Sequence, residues 1–240
     1  MTEPLVEVHP DAGALATAVA GELLTRLADA QASGHVPHIG LTGGTIADAV
    51  HRELARLSPG ADVDWSKVVV WWGDERFVAP DSPDRNAVGA RAALLDAVGA
   101  TQVHEMPSTA DATDVQAGAA AYAATVREHG SGEFEVVMLG VGPDGHVASL
   151  FPGHPELDVD DQIAVAVTDS PKPPPERITL TYSALNRSRS VWLLVSGAAK
   201  AEAVAAALAD EGDLHATPAR GVAGHEETIW FLDREAASRL

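Results

Sequence analysis

The 240-residue chain predicts an α/β fold, a three-layer sandwich around a mostly parallel central sheet. Two features carry the prediction. Short apolar runs without polar alternation, as expected of strands buried on both faces, alternate with alanine-rich segments of helical spacing. With 46% hydrophobic residues, the chain can also bury one sizeable core, so a single domain over residues 1–240 is expected.

The strands are expected at His38 to Thr42, Val68 to Trp72, Val136 to Gly140, Ile163 to Val167, Ile178 to Tyr182, Val191 to Val195 and Thr228 to Leu232. Between them, Gly13 to Ala32, Thr45 to Leu57, Ala87 to Val98, Val115 to Glu128 and Ala198 to Leu208 carry helical periodicity. Pro171-Lys172-Pro173-Pro174-Pro175 is too short for an interdomain linker and is expected as a stiff loop over a sheet edge. No internal repeat is present.

Composition excludes several classes. A formal charge of -19, from 35 acidic and 16 basic residues, argues against nucleic acid, because a phosphate backbone needs a cationic face. The absence of cysteine removes disulfides, zinc-thiolate sites and thiol nucleophiles. No run approaches the ~18 apolar residues of a membrane span, and Met1 to Asp11 is acidic rather than basic and apolar. The expectation is a soluble cytoplasmic protein with no obligate protein partner. Any phosphate site in so acidic a chain must be built locally from a few cations and backbone amides.

In a parallel sheet ligands sit beyond the carboxyl ends of the strands, so the residues after each strand matter most. Thr42-Gly43-Gly44-Thr45 leads from the first expected strand into a helix. It is either a plain glycine turn with Thr45 as N-cap or an anion cradle of unpaired amides. It is not a P-loop, since no Gly-Lys-Ser/Thr follows. Val68 to Trp72 delivers Asp74, Glu75 and Arg76, and a proline- and aspartate-rich loop follows. Asp74, Glu75, Asp81 and Asp84 match neither an EF-hand nor a histidine-containing zinc pattern.

Val136 to Gly140 runs into Gly142, Asp144, Gly145 and His146, and a short helical stretch is expected next. The segment from Gly140 to Gly145 satisfies G-x-G-x-x-G. It lacks the long helix and the following strand-end acid of a dinucleotide site, because Pro152 cuts the helix short. His146 carries the one type of side chain that exchanges protons near pH ~6.5. Ser149, three residues on, invites a serine-nucleophile reading, but no G-x-S-x-G elbow surrounds it. Lys172, Arg177 and Lys200 form a group of cations near strand ends, suited to clamping a phosphate.

Taken in order, Thr42-Gly43-Gly44-Thr45, Trp72-Gly73-Asp74-Glu75-Arg76 with Asn86 beyond it, the segment from Gly140 to Gly153 containing Asp144-Gly145-His146, and Pro174-Pro175-Glu176-Arg177-Ile178-Thr179 resemble the 6-phosphogluconolactonase family. The resemblance spans nearly the whole chain. It implies the Rossmann-like sheet shared with glucosamine-6-phosphate deaminases. It also implies hydrolysis of 6-phosphoglucono-1,5-lactone in the pentose phosphate pathway, with no metal and no cofactor. The deaminases usually carry an Asn-Glu pair shortly after the Asp-Gly-His triplet, where this chain has Ser149-Leu150-Phe151-Pro152. Arg85 before Asn86 departs from the family's usual loop.

On this reading His146 serves as general base and later as acid, and Asp144 shapes the turn or tunes the imidazole. Arg76 stabilises the carbonyl oxygen. Gly43, Gly44 and Thr45, with Arg177, Lys200 and Lys172, hold the phosphate. The alternatives are an amino-sugar phosphate deaminase or isomerase, in which Asp74 shuttles a proton from carbon, and a non-catalytic sugar-phosphate sensor.

Overall fold

The computed structural model describes residues 3–240. Its strands are β1 (Leu5–His9), β2 (His38–Leu41), β3 (Val69–Trp72), β4 (Asp74–Arg76), β5 (Gln102–Val103), β6 (Phe134–Gly140), β7 (Ala164–Val167), β8 (Arg177–Leu180), β9 (Ser188–Val195) and β10 (Glu227–Asp233). The helices are α1 (Ala12–Ala32), α2 (Thr45–Leu57), α3 (Asn86–Ala90), α4 (Asp96–Val98), α5 (Val115–His129), α6 (Tyr182–Leu185) and α7 (Ala201–Leu208). A π turn at Arg91–Leu95 joins α3 to α4.

The central sheet has the order β1-β10-β9-β6-β2-β3-β5, and every pairing in it is parallel. Its inner strands are buried along their length, which is why they read as unbroken apolar runs. From β2 the chain winds outward through β3 to β5. It then returns to place β6 on the other side of β2 and continues through β9 to β10. The reversal opens a crevice between the carboxyl ends of β2 and β6, the place where such sheets bind ligands.

One part of the expected sheet is corrected. Ile163 to Val167 and Ile178 to Tyr182 do not join the parallel array; as β7 and β8 they pair antiparallel with each other, and β8 pairs antiparallel with β4. The connection between them holds no helix, and a parallel crossover needs about a dozen residues or more. This small sheet packs against α5 and carries Asp74, Arg76 and Arg177. β1, β4 and β5 lie outside the expected strands. β1 is an exposed edge with Glu7 at its centre, β4 is made of charged residues, and β5 has only two residues.

No helix among the described residues is long and apolar enough to cross a membrane.

His51 on α2 is buried, and neither ring nitrogen has a hydrogen-bond partner. Burial, reinforced by the neighbouring Arg52 charge, pushes its imidazole down from 6.5 to about 4. The folded protein therefore prefers this ring neutral. That preference is fully present above pH 6.5, is lost as the pH falls through about 4, and corresponds to about 3 kcal/mol. Replacing His51 by Leu is expected to remove this component, so that the urea midpoint of His51→Leu declines less than that of the parent between pH 6.5 and 4. Parallel declines in the two proteins would show that another group carries the acid sensitivity.

Candidate active site

The crevice between β2 and β6 opens into a cavity of about 680 Å³. Gly43, Gly44, Thr45, Asp74, Arg76, His146, Lys172, Arg177 and Lys200 all line it. Asp144 joins them through His146, whose Nδ1 lies 2.5 Å from Asp144 Oδ1. Another cavity, of about 470 Å³, contains His38, Trp71, Arg127 and Arg187, but it lies at the amino ends of the strands. The chemistry gathers at the carboxyl ends, as the topology requires.

The His146 loop is a pair of tight turns, in place of the expected helical stretch. Val147 bridges both Val141 and Leu150, and Ala148 takes a left-handed φ of 48°, which a continuing right-handed helix does not allow. The Gly142 N–H donates to the His146 carbonyl (2.9 Å), and the Gly145 N–H donates to the Gly142 carbonyl (3.0 Å). A Cβ on Gly142 would overlap the His146 ring and the Asp144 carboxylate. Glycine is required here by close approach, because the backbone φ of Gly142 is ordinary. The imidazole packs on Phe151 at 4.7 Å between ring centroids.

Asp144 is held well below the ordinary carboxylate range. Burial works against ionisation, but the hydrogen bond and charge of His146 and the charge of Lys172 outweigh it. With Asp144 ionised, Nδ1 of a neutral imidazole carries the proton and donates it to the carboxylate, which leaves Nε2 as the basic nitrogen.

The Gly43-Gly44-Thr45 turn opens α2. Gly44 is the N-cap, with Thr45 as the first helical residue, which corrects the capping role considered for Thr45. No side chain caps this end, so its amides and the positive pole of a 13-residue helix stand open to an anion. Gly43 packs so closely on Asn86 that a Cβ there would overlap the amide oxygen. Asn86 is a hub that the sequence motif named without a role. Its Oδ1 accepts from Arg76 Nη1 (2.9 Å) and its Nδ2 donates to the Asp74 carbonyl (3.0 Å).

On β4, three consecutive charges have three distinct surroundings. The Asp74 Oδ2 accepts from the Ser149 hydroxyl at 2.6 Å, and Ser149 is wholly buried. Ser149 is therefore a clamp on Asp74 and is not an accessible nucleophile. Glu75 accepts from the backbone N–H groups of Arg76 (2.9 Å), Asn86 (2.7 Å) and Ala87 (2.9 Å), and so caps the start of α3. Burial pushes its carboxyl above the ordinary value, although those amides and Arg85 favour the charged form. Arg76 donates to the Asp84 carbonyl (2.6 Å) and to Asn86. Among the described residues, no group of His, Asp and Glu side chains is arranged to hold a metal ion.

Arg177 is the register partner of Arg76 across β4 and β8, so the two guanidiniums share one wall. Arg177 donates through Nε to Pro174 O (3.2 Å) and through Nη2 to Lys172 O (3.0 Å) and Pro173 O (3.4 Å), pinning the proline-rich strap over the cavity. Burial lowers its basicity, the neighbouring Arg76 adds to this, and Asp74 and Glu75 oppose it. Lys200 donates to Val141 O at 2.6 Å; burial, then the Lys172 charge, lowers its basicity.

Lys172 also lines the cavity. Its Nζ lies 3.4 Å from His146 Nδ1 and 3.8 Å from Asp144 Oδ1, beside the imidazole. Arg52, one of the cavity-lining residues, has no role in the sequence reading. Its only sequence signal is position, seven residues after Thr45 and thus on the same helical face.

The family model for glucosamine-6-phosphate isomerases/6-phosphogluconolactonase matches residues 10–230. The chain belongs to this family. A 6-phosphogluconolactonase of Streptomyces coelicolor is 45% identical, with 99% of this chain and 95% of that protein covered. One of Mycobacterium tuberculosis is 43% identical over 98% of each chain. The crystal structure of a 6-phosphogluconolactonase from Shewanella baltica superposes with a TM-score of 0.85 at 27% identity, over 97% of each chain. In this member of the glucosamine-6-phosphate isomerase and 6-phosphogluconolactonase family, the crevice gathers an Asp-paired histidine, an uncapped helix end and several cations in one cavity.

The close approach at Gly142 is testable. Gly142→Ala is expected to displace the imidazole and lower kcat by about 10²-fold, the scale of a ~1 Å misplacement, while the melting temperature changes little. Unchanged turnover in a folded Gly142→Ala protein would show that the ring need not sit where this turn holds it.

Proposed function

We propose that the chain hydrolyses 6-phosphoglucono-1,5-lactone to 6-phosphogluconate, the ring-opening step of the pentose phosphate pathway, with His146 as general base. The reading is carried by the Asp144–His146 pair, because it leaves a basic Nε2 in the same cavity as an open helix terminus and fixed cations. The high identity to proteins named 6-phosphogluconolactonase over nearly the full chain supports the same substrate.

A lactone is an activated ester, so its hydrolysis requires a deprotonated water, a sheltered oxyanion and a proton for the departing ring oxygen. Nε2 of His146 takes a proton from water as the oxygen attacks C1. Arg76, fixed by Asp84 and Asn86, stabilises the charge that develops on the carbonyl oxygen. When the tetrahedral intermediate collapses, the bond from C1 to the ring oxygen breaks and the imidazolium returns its proton to that oxygen. Atoms balance with water as the only co-reactant.

The remote phosphate is assigned to the Gly43-Gly44-Thr45 amides, with Arg177 and Lys200. Nη1 of Arg177 has no hydrogen-bond partner among the described residues and is free to donate. Asp74, clamped by Ser149 and Asn86, faces the cavity as the one carboxylate on the Arg76 wall, where it orients hydroxyls of the sugar. The missing Asn-Glu pair after His146 separates this site from amino-sugar deamination.

In a lactonase assay corrected for spontaneous opening, His146→Ala is expected to lower kcat by about 10²- to 10⁴-fold with little change in KM. Lys200→Ala is expected mainly to raise KM. Glucosamine-6-phosphate should release no ammonia. A His146→Ala protein with full turnover would remove the general-base role, and parental protein with no turnover above background would remove the reading itself.

A further inference from the structure

The proline-rich strap between β7 and β8 brings a charge to the general base. Lys172 is the sole charged side chain that the strap contributes to the cavity wall. Its ammonium approaches the nitrogen of His146 that is already bonded to Asp144, at 3.4 Å, with Asp144 Oδ1 at 3.8 Å. The backbone that presents it is held from several sides. Arg177 grips the carbonyls of Lys172, Pro173 and Pro174; the Ser170 hydroxyl donates to Lys172 O (2.9 Å), and the Ser170 N–H donates to Pro175 O (3.1 Å).

The deduction rests on the lactonase reading above. We propose that Lys172 is a positioning residue for the base: its ammonium offsets the Asp144 carboxylate at their shared nitrogen, keeping the imidazole neutral until the water proton arrives and releasing that proton readily afterwards. A carboxylate alone at 2.5 Å favours the imidazolium. An imidazolium already present in the free enzyme cannot act as base. A second positive charge on the same side weakens that preference while leaving the Asp144 hydrogen bond, and hence the tautomer, intact. In the second half of the reaction the same charge makes the imidazolium a better acid toward the ring oxygen.

The other charges near the base come from different elements. Lys200 reaches in from the turn before α7, Asp74 and Arg76 from β4, Arg177 from β8 and Arg52 from α2. Lys200 is tied to Val141 O, and Arg76 and Arg177 are tied to loop oxygens. Of the cations, the contact to the imidazole itself is made by Lys172.

The test is Lys172→Met, which keeps length and removes charge, beside Lys172→Arg. The side chain is about two-fifths exposed (43%), so both proteins should fold. The profile of kcat/KM against pH is measured for each, with spontaneous opening subtracted. In Lys172→Met the acid limb is expected to move to higher pH by about one unit, a screened fraction of the full interaction at this distance. KM should stay within about twofold of the parent, and Lys172→Arg should restore the parental profile. A raised KM with an unmoved limb would make Lys172 a substrate ligand and overturn the proposal. An unmoved limb with unchanged KM, or a limb moved to lower pH, would overturn it too.

A titration of the His146 ring signal by NMR in the free proteins reads the same coupling without turnover. Should the parental protein lack lactonase activity, the reading above fails while this titration still decides the effect of Lys172. A midpoint that moves up in Lys172→Met supports the coupling, and an unmoved midpoint ends it.

Discussion

The hydrogen bond between Asp144 and His146 is only as good as the turn that holds both residues, and that turn exists because the backbone at Gly142 comes closer to the pair than a methyl group permits. A second close approach, Gly43 against Asn86, docks the α2 terminus on the residue that accepts from Arg76. Both contacts lie at the carboxyl ends of neighbouring strands, β2 and β6, where the winding of the sheet reverses. One topological event therefore places the Asp144–His146 pair and the open end of α2 on the same crevice, and the two glycines let them converge.

The cavity reverses the electrostatics of the chain. In a protein of formal charge -19, it gathers Arg52, Arg76, Arg177, Lys172 and Lys200. Three of these are fixed by neutral oxygens: Arg76 by Asp84 O and Asn86 Oδ1, Arg177 by strap carbonyls, and Lys200 by Val141 O. Neutral acceptors hold a cation in place without cancelling its charge, so the charge remains available to a phosphate or an oxyanion. Lys172 differs in kind, since it shares Asp144 with the His146 imidazole. On the proposed function, attraction of an anionic substrate is local to this cavity, because the overall field of the chain is negative.

Much of this was legible before any coordinates. The buried strands announce themselves because burial on both faces leaves no polar residue in the run, and the long helices by their spacing. The cavity residues His146, Arg76, Asp74, Gly43, Gly44, Thr45, Arg177 and Lys200 were legible as strand-end residues. What escaped has physical reasons. β4 is a strand of charges that gains order from β8 and from the buried contacts of Asp74 and Glu75, which no hydrophobic pattern records. The turns after His146 looked helical because Ala148 in a left-handed conformation leaves no mark in the sequence. Arg52 carries no motif, and its place on the cavity wall follows from helix packing alone.

Local sequence determined the elements, the glycine-bounded turns and the kinds of chemistry available, because apolar spacing, missing Cβ atoms and titratable side chains are properties of short segments. Tertiary structure decided which of those groups meet. That Ser149 clamps Asp74, that Arg177 pins the strap, and that Lys172 stands beside the imidazole are contacts between residues far apart in the chain or across a folded loop. Such contacts depend on the path of the backbone through space, which the pattern of any one segment does not contain.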